Sequence, residues 1–450
     1  MLPRYTRPPF DQLWSEEAKF RRWLNVEMAI ISARAKLDDL SPTIAGRIKN
    51  HFRFLEINSN VVWQIEAIEV ELVHDMNAFI VAMRETMTGD LEPHRGEFHK
   101  GVTSYDIEDP AFILALRLAA GCILDNVRAL HQALQKKSYE HRSTLMIGRT
   151  HGQYAVPDTF GRLLRTFAEA LRKDIQAIER SVAYDLSEGK ISGAIGNYGD
   201  MDPQIEELAL AELGLQAAIC ETQILHRGRH FSFMAALARA AGTIAGMAKT
   251  FWPMMRSDVG ELEEPRKSKQ RGSSTMSQKK NPIKVEQMDD GIPRLFAGYL
   301  AAAFANIGSR EGRDISQSIV ERHIWPDATS LIYYMAETMT RVVDGLVVHA
   351  DDMYQRLEVE TRGVWAAERV RLALVDAGVD PNLAYDYTQA VSFEATKTKK
   401  QLYVLLQTRA LKSDDHRTAY EILGEEKLVW CFDARGYVAN GVKHIFGSDE

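Results

Sequence analysis

Residues 271–287 read RGSSTMSQKKNPIKVEQ, and how this stretch is read decides what fold is expected around it. It closes a polar run, ELEEPRKSKQRGSSTMSQKK, in which Pro265 and Gly272 interrupt any helix, and the next helical pattern opens at Asn281 and Pro282. Composition alone suits a solvated linker with incidental lysines. The alternative is a mobile lid that closes over an anion. Glycine would supply the hinge, Ser273 and Ser274 hydroxyls, Lys279 and Asn281 charge and donors, and a helix N-terminus a favourable dipole.

On either side of this stretch almost nothing reads as a strand. Five long helical patterns span residues 110–141, 157–188, 224–264, 281–308 and 325–357, parted by glycine, proline and polar breaks. In the second, Leu163, Leu164, Phe167, Leu171, Ile175, Ile178 and Val182 recur at helical spacing, with Arg172, Lys173, Glu179 and Arg180 between them. Pro157 suits its first turn and Gly189 its stop. Helices of about 30 residues reach roughly 45 Å, and several in succession predict an elongated bundle. The third, fourth and fifth are apolar around much of their circumference, as in FSFMAALARAAGTIAGMAKTFW. Such helices need neighbours on more than one side, which predicts burial in an oligomer interface.

The ends differ from the middle. Residues 1–109 hold shorter helices and several histidines, and from 350 onward short helices return, with breaks at DAGVDPNL and LKSDDHR. The expectation is an all-α protein of three domains: an N-terminal helical domain (1–109), a central bundle of five long helices carrying the polar loop (110–349), and a small C-terminal helical domain (350–450).

Composition narrows the function classes. A chain of 450 residues exceeds one compact core, and 45% apolar with 26% charged residues is ordinary for a soluble protein. A net charge of −7 discourages nonspecific nucleic-acid binding. Cys122, Cys220 and Cys431 form neither a CxxC motif nor a disulfide ladder, which suits a reducing cytosol. MLPRYTRPPF lacks the apolar core of an export signal, and the longest uncharged apolar stretch, 14 residues, is too short for a bilayer. The expectation is a soluble cytoplasmic protein without nucleic-acid or membrane partners. His226 and His230 stand four apart but lack an HExxH glutamate and a third ligand, so no metal is expected.

GSSTMSQKKN (272–281) contains Gly-Ser, two residues, Met, two residues, Lys, one residue and Asn. HKGVTSYDIED (99–109) and GRTHGQYAVP (148–157) precede it in that order. Together these segments resemble the shared regions of the fumarase/aspartase superfamily, over nearly the whole chain. The resemblance implies a tetrameric helix bundle with sites at its ends, each assembled from three subunits. It also implies a reaction, without cofactor, that breaks a C–N or C–O bond beside a carboxylate and releases fumarate. That chemistry needs a base, donors for a dianionic intermediate, and an acid for the leaving group.

By the resemblance Ser273 is the base, and Lys279 and Asn281 hold the carboxylate as charge develops. Ser274 assists by hydrogen bonding, His151 is the general acid, and Glu286 pairs with that histidine and orients it. Thr103 and Ser104 match the carboxylate-binding pair, in a region that opens at His99. Taken singly, His151 suits a buried hydrogen-bonded imidazole and Glu286 a solvated charge.

Further segments resemble the branch of the superfamily that acts on a succinylated purine nucleotide. RYTRP supplies Arg4 and Tyr5, HDMNAF (74–79) supplies His74 and Asp75, and TQILHRGRH supplies Gln223. GRDISQSIVERHIWPDA (312–328) supplies Arg313, Ser318 and Arg322, two arginines and a hydroxyl that can grip a phosphate. Taken singly, those arginines suit surface salt bridges. The sequence departs from the branch at Ser277 and Gln278, where Pro and His or Tyr are usual, at Val73 for a basic residue, and at Gln317 for a histidine. The expected activity is β-elimination of fumarate from a succinylated purine nucleotide in purine biosynthesis. The alternative is another superfamily enzyme, a lyase for an amino-substituted succinate or a carboxymuconate cycloisomerase-like enzyme.

Overall fold

The computed structural model describes residues 2–412 and 416–447; part of the break read at LKSDDHR lies outside them. Among the described residues the chain forms eighteen α-helices, and its strands make only two-stranded pairs. The chain is predominantly helical, as its periodicity predicts.

The long helices run over Ser104–Glu140, Phe160–Tyr184, Gly228–Met254, Ile292–Ala305 and Ser316–Asp344. Several boundaries differ from the sequence reading. Pro110 and Pro326 lie inside helices rather than at their starts. In the turn after Pro326 the hydroxyls of Thr329 and Ser330 donate to the carbonyls of Trp325 (2.7 Å) and Pro326 (2.6 Å). Residues 153–159, including Pro157, are a strand, so the second helix starts at Phe160. The last long helix ends at Asp344, because Val347–Val348 leaves to pair with Leu262–Glu263, which in turn shortens the third.

The chain divides into two compact units. The first comprises Met1–Ala129, Leu171–Ala245 and Gln287–Thr338. Its helix Glu16–Lys36 is capped by Ser15, whose side chain accepts from the Ala18 N–H, with Glu16 and Glu17 in the first turn and Arg34 and Lys36 in the last. That helix packs Phe20 and Trp23 against Phe79, with ring centroids 5.7 and 5.4 Å apart. Deeper in this unit sit charges. Asp106, fully buried, lies 2.7 Å from Lys190 Nζ. It also accepts from the backbone N–H groups of Thr103 (2.8 Å), Ser192 (3.0 Å) and Gly193 (3.2 Å). Arg227 lies between Asp109 (2.8 Å) and Glu321 (2.8 Å), tying the start of one long helix to two others.

The second unit comprises Leu130–Ala170, Gly246–Glu286 and Met339–Glu450. Its C-terminal helices close on an apolar cluster that includes Leu374, Ala384, Leu405, Leu406, Leu428 and Cys431. Its hairpin joins strand β1 (Leu145–Thr150) to strand β2 (Gln153–Thr159), with Thr150 opposite Gln153.

Replacing Asp106 by Ala strands a buried lysine and three amides. Unfolding in urea should show a loss of about 3–5 kcal/mol, the usual result of breaking a buried pair from one side. Asp106→Asn, which keeps an acceptor, should lose less.

Candidate active site

The hairpin turn is His151-Gly152. With Thr150 paired to Gln153, only two residues make the connection, and both have positive φ, 53° and 73°. That is the signature of a type I′ turn, whose twist matches antiparallel strands. Gly152 adopts it freely, whereas His151 is a non-glycine residue in the left-handed region and is held there by the strands on either side. The turn therefore presents the imidazole on an exposed tip. Two residues earlier, Arg149 makes a two-pronged ion pair with the fully buried Glu261, at 3.0 and 2.7 Å.

The loop read as a lid runs from Pro265 to Pro282 and carries no helix or strand. Ser274 to Lys280 are exposed, while both ends are held. Gly272 is buried at one end, where a Cβ would stand 2.1 Å from the Lys279 carbonyl oxygen. Its role is thus close backbone approach. At the other end Lys280 Nζ reaches Glu263 at 2.9 Å. Ser273 Oγ accepts from the N–H groups of Met276 (3.0 Å) and Thr275 (3.3 Å). Two donors on one hydroxyl oxygen stabilise negative charge there.

Lys279, Asn281 and Glu286 line one cavity of about 660 Å³, together with Arg256, Arg266 and His349. Glu286 ends the short helix Ile283–Glu286, ahead of a π turn over Gln287–Gly291. The Trp252 indole N–H donates to its Oε1 at 3.3 Å. Glu264, beside this helix, has its carboxyl pushed up by burial, against the hydrogen bonds it accepts from backbone N–H groups.

The remaining candidates belong to the first unit, and most find partners among themselves or nearby. Arg313 donates to Gln223 Oε1 at 2.8 Å and lies 4.1 Å from the centre of the Tyr105 ring. Gln223 in turn donates to the Ala194 carbonyl at 2.6 Å. Arg322 pairs with Asp75 at 2.6 Å. Ser318 shares a cavity of about 230 Å³ with Arg322, and its hydroxyl donates to the Ile315 carbonyl at 3.0 Å. His74 caps the helix Asp75–Thr86 by accepting from Asn77 N–H. His99, at φ 58°, engages the buried Glu27 at 2.6 Å. Thr103 is fixed by Asp106, and Ser104 begins the helix Ser104–Glu140.

Arg4 and Tyr5 do not join the other phosphate candidates within one chain. Arg4 is exposed, and the Tyr5 ring meets Tyr334 edge-on at 5.4 Å. Tyr334 stands twelve residues beyond Arg322 on one helix, roughly 18 Å along its axis. The two histidines weighed for metal have other surroundings. His226 accepts from Gly228 N–H, and His230 is buried against the Phe112 and Trp325 rings.

Sequence reasoning missed Glu108. It lines the smaller cavity with Lys19, Arg22, Tyr105 and Arg322. Burial, reinforced by the Asp75 carboxylate, pushes its carboxyl up to about 8 against the pull of Arg322. Glu108 stands within HKGVTSYDIED but was not singled out there, because a glutamate in a polar segment reads as a solvated charge. Glu261 and Trp252 were missed for the same kind of reason: the burial and arginine partners of Glu261 and the Glu286 partner of Trp252, not residue type, distinguish them.

The sequence profile of a lyase family matches residues 4–296. An adenylosuccinate lyase from Thermotoga maritima is 35% identical over 447 residues, covering 99% of each chain. One from Bacillus subtilis is 34% identical over 440 residues, covering 98% of this chain and 97% of its own. Among solved structures, a fumarate lyase from Mesorhizobium sp. BNC1 superposes with a TM-score of 0.86 at 22% identity, both chains covered in full. A 3-carboxy-cis,cis-muconate lactonizing enzyme from Pseudomonas putida follows at 0.82 and 21%, covering 98% of this chain and 97% of its own. At those identities the structures establish the shared fold.

The Glu108 carboxyl makes stability depend on pH. Its folded value near 8 lies above the unfolded one, so the native state binds the extra proton. This contribution is complete below about pH 4.3 and is lost as pH rises through 8. Thermal melts of Glu108→Gln should therefore gain on wild type between pH 5 and 8.5, with the gap closing toward pH 4.

Proposed function

The chain belongs to the lyase family whose profile it matches, and from that membership we propose that it cleaves adenylosuccinate to AMP and fumarate. The corresponding succinylated imidazole carboxamide ribotide of purine synthesis is a second substrate. Full-length likeness to adenylosuccinate lyases supports the substrate. The observation that carries the chemistry is the single cavity lined by Lys279, Asn281 and Glu286, next to a loop whose serine oxygen already accepts two amide N–H groups.

In the proposed reaction Ser273, as its alkoxide, removes the proton from the carbon beside the succinyl carboxylate. The amides of Thr275 and Met276 are placed to lower the cost of that alkoxide. Lys279 and Asn281 stabilise the charge that builds on the carboxylate, with Ser274 assisting. The C–N bond then breaks, its electron pair passes to the purine amino nitrogen, and His151 supplies the proton that completes AMP. Glu286 orients His151, while Thr103 and Ser104 bind the other carboxylate.

Arg4, Tyr5, Arg313, Ser318 and Arg322 are assigned to the nucleotide phosphate, with His74, Asp75, His99 and Gln223 lining the rest of the substrate. The roughly 18 Å between Tyr5's contact and Arg322 along one helix favours sites completed by neighbouring subunits. We accordingly infer a homotetramer with shared active sites, working in the cytoplasm without a metal or other cofactor.

Absorbance-monitored turnover tests the reading: wild type should release fumarate and AMP, and Ser273→Ala should lose about 10³-fold or more in kcat. No turnover of adenylosuccinate by wild type would overturn it. Gly272→Ala, whose methyl would collide with the Lys279 carbonyl, should lower kcat by about tenfold or more by displacing the loop.

A further inference from the structure

Four consecutive residues, Glu261 to Glu264, hold three separate parts of the second unit. Their backbone is fixed on both sides. Glu261 N–H donates to the Met254 carbonyl at 2.9 Å, its carbonyl accepts from His349 N–H at 3.1 Å, and Leu262–Glu263 pairs with Val347–Val348. Just before this short strand the Glu261 carboxylate, fully buried, holds Arg149 with two bonds and lies 3.0 Å from Arg356 Nε. Arg149 stands two residues before the His151 turn. Glu264, 6% exposed, accepts from Val285 N–H at 2.5 Å, one residue before Glu286. Glu263 holds Lys280 at the end of the loop.

We propose that Glu261 and Glu264 are positioning residues that set, from the two ends of one short strand, the places of His151 and Glu286. The proposal rests on the elimination reading, in which those two act as acid and orienting carboxylate. An acid working through a histidine on a two-residue turn needs that turn held in place, since a displacement of about 1 Å can cost about 100-fold in rate. Buried charged pairs are suited to this. They add little net stability over apolar packing, but removing one partner is severe, and a two-pronged arginine bond accepts few geometries. Trp252, from the preceding helix, completes the support by donating directly to Glu286.

The test uses the full-length protein with Glu261→Gln, Arg149→Lys and Glu264→Ala, which removes the acceptor for the Val285 N–H, read by hydrogen exchange and by steady-state kinetics on adenylosuccinate. Glu261→Gln should accelerate exchange across residues 145–159 by about tenfold or more while leaving 283–290 unchanged, and Glu264→Ala should do the reverse. In each, kcat should fall about 10–100-fold with KM within about threefold. In Glu261→Gln the alkaline limb of the kcat profile, which reports the proposed acid, should shift. Should Glu261→Gln fail to fold, Arg149→Lys keeps the charge, gives up the two-pronged bond, and carries the same expectation. Unchanged exchange in both segments overturns the proposal, as do loosened segments with intact kcat and pH profile. A wild type inactive on adenylosuccinate overturns the elimination reading instead, and the exchange pattern alone then decides the positioning.

Discussion

A carboxylate withdrawn from water must be given cations or amide donors, or it will protonate. That requirement organises both units. In the first, Asp106 is satisfied by Lys190 and by the amides of Thr103, Ser192 and Gly193, so one buried side chain draws two irregular segments onto a long helix. In the second, Glu261 gathers Arg149 from a hairpin and Arg356 from a later helix. Apolar packing makes the helices adhere, but it is tolerant of sliding. Fixed segments at helix ends come from these charged anchors, and the candidates Thr103 and His151 lie on or beside them.

Where compensation is incomplete, chemistry becomes available. Glu108 lines a cavity walled by Trp14, Trp23 and Phe112 as well as by Arg322, and burial together with the Asp75 carboxylate pushes its carboxyl up to about 8. Ser273 is the converse case, an oxygen supplied with two amide donors before any charge exists on it. Both are environments prepared in advance, which a folded chain can maintain because the cost is borne by packing elsewhere.

Backbone conformation adds a second device. His99 and His151 both sit at positive φ, unfavourable for residues with a side chain. Each is held by a specific restraint, His99 by both oxygens of Glu27 and His151 by the register of β1 and β2. Strain of this kind persists only when neighbours over-determine it, so it marks positions where orientation matters more than local stability.

The sequence by itself determined the helical class, the places of the long helices to within a turn or a few, and the family of the chain. Helical periodicity and a motif with five defined positions are local properties, readable without knowing any neighbour. The hairpin was not legible, because GRTHGQYAVP carries a proline that suits a helix start equally well, and only pairing of Ile147 with Pro157 decides for a strand. Pro110 and Pro326 read as helix starts for the same reason, since what surrounds their broken turns is set by tertiary structure. The run ELEE read as the end of a helical pattern and the start of a polar run. Only burial against Arg149, Arg356 and Val285 turned it into an anchor, because the meaning of a carboxylate depends on which groups meet it after folding. Residue types are written in the chain, but desolvation and partnership arise only between segments distant along it, and tertiary structure alone decides them.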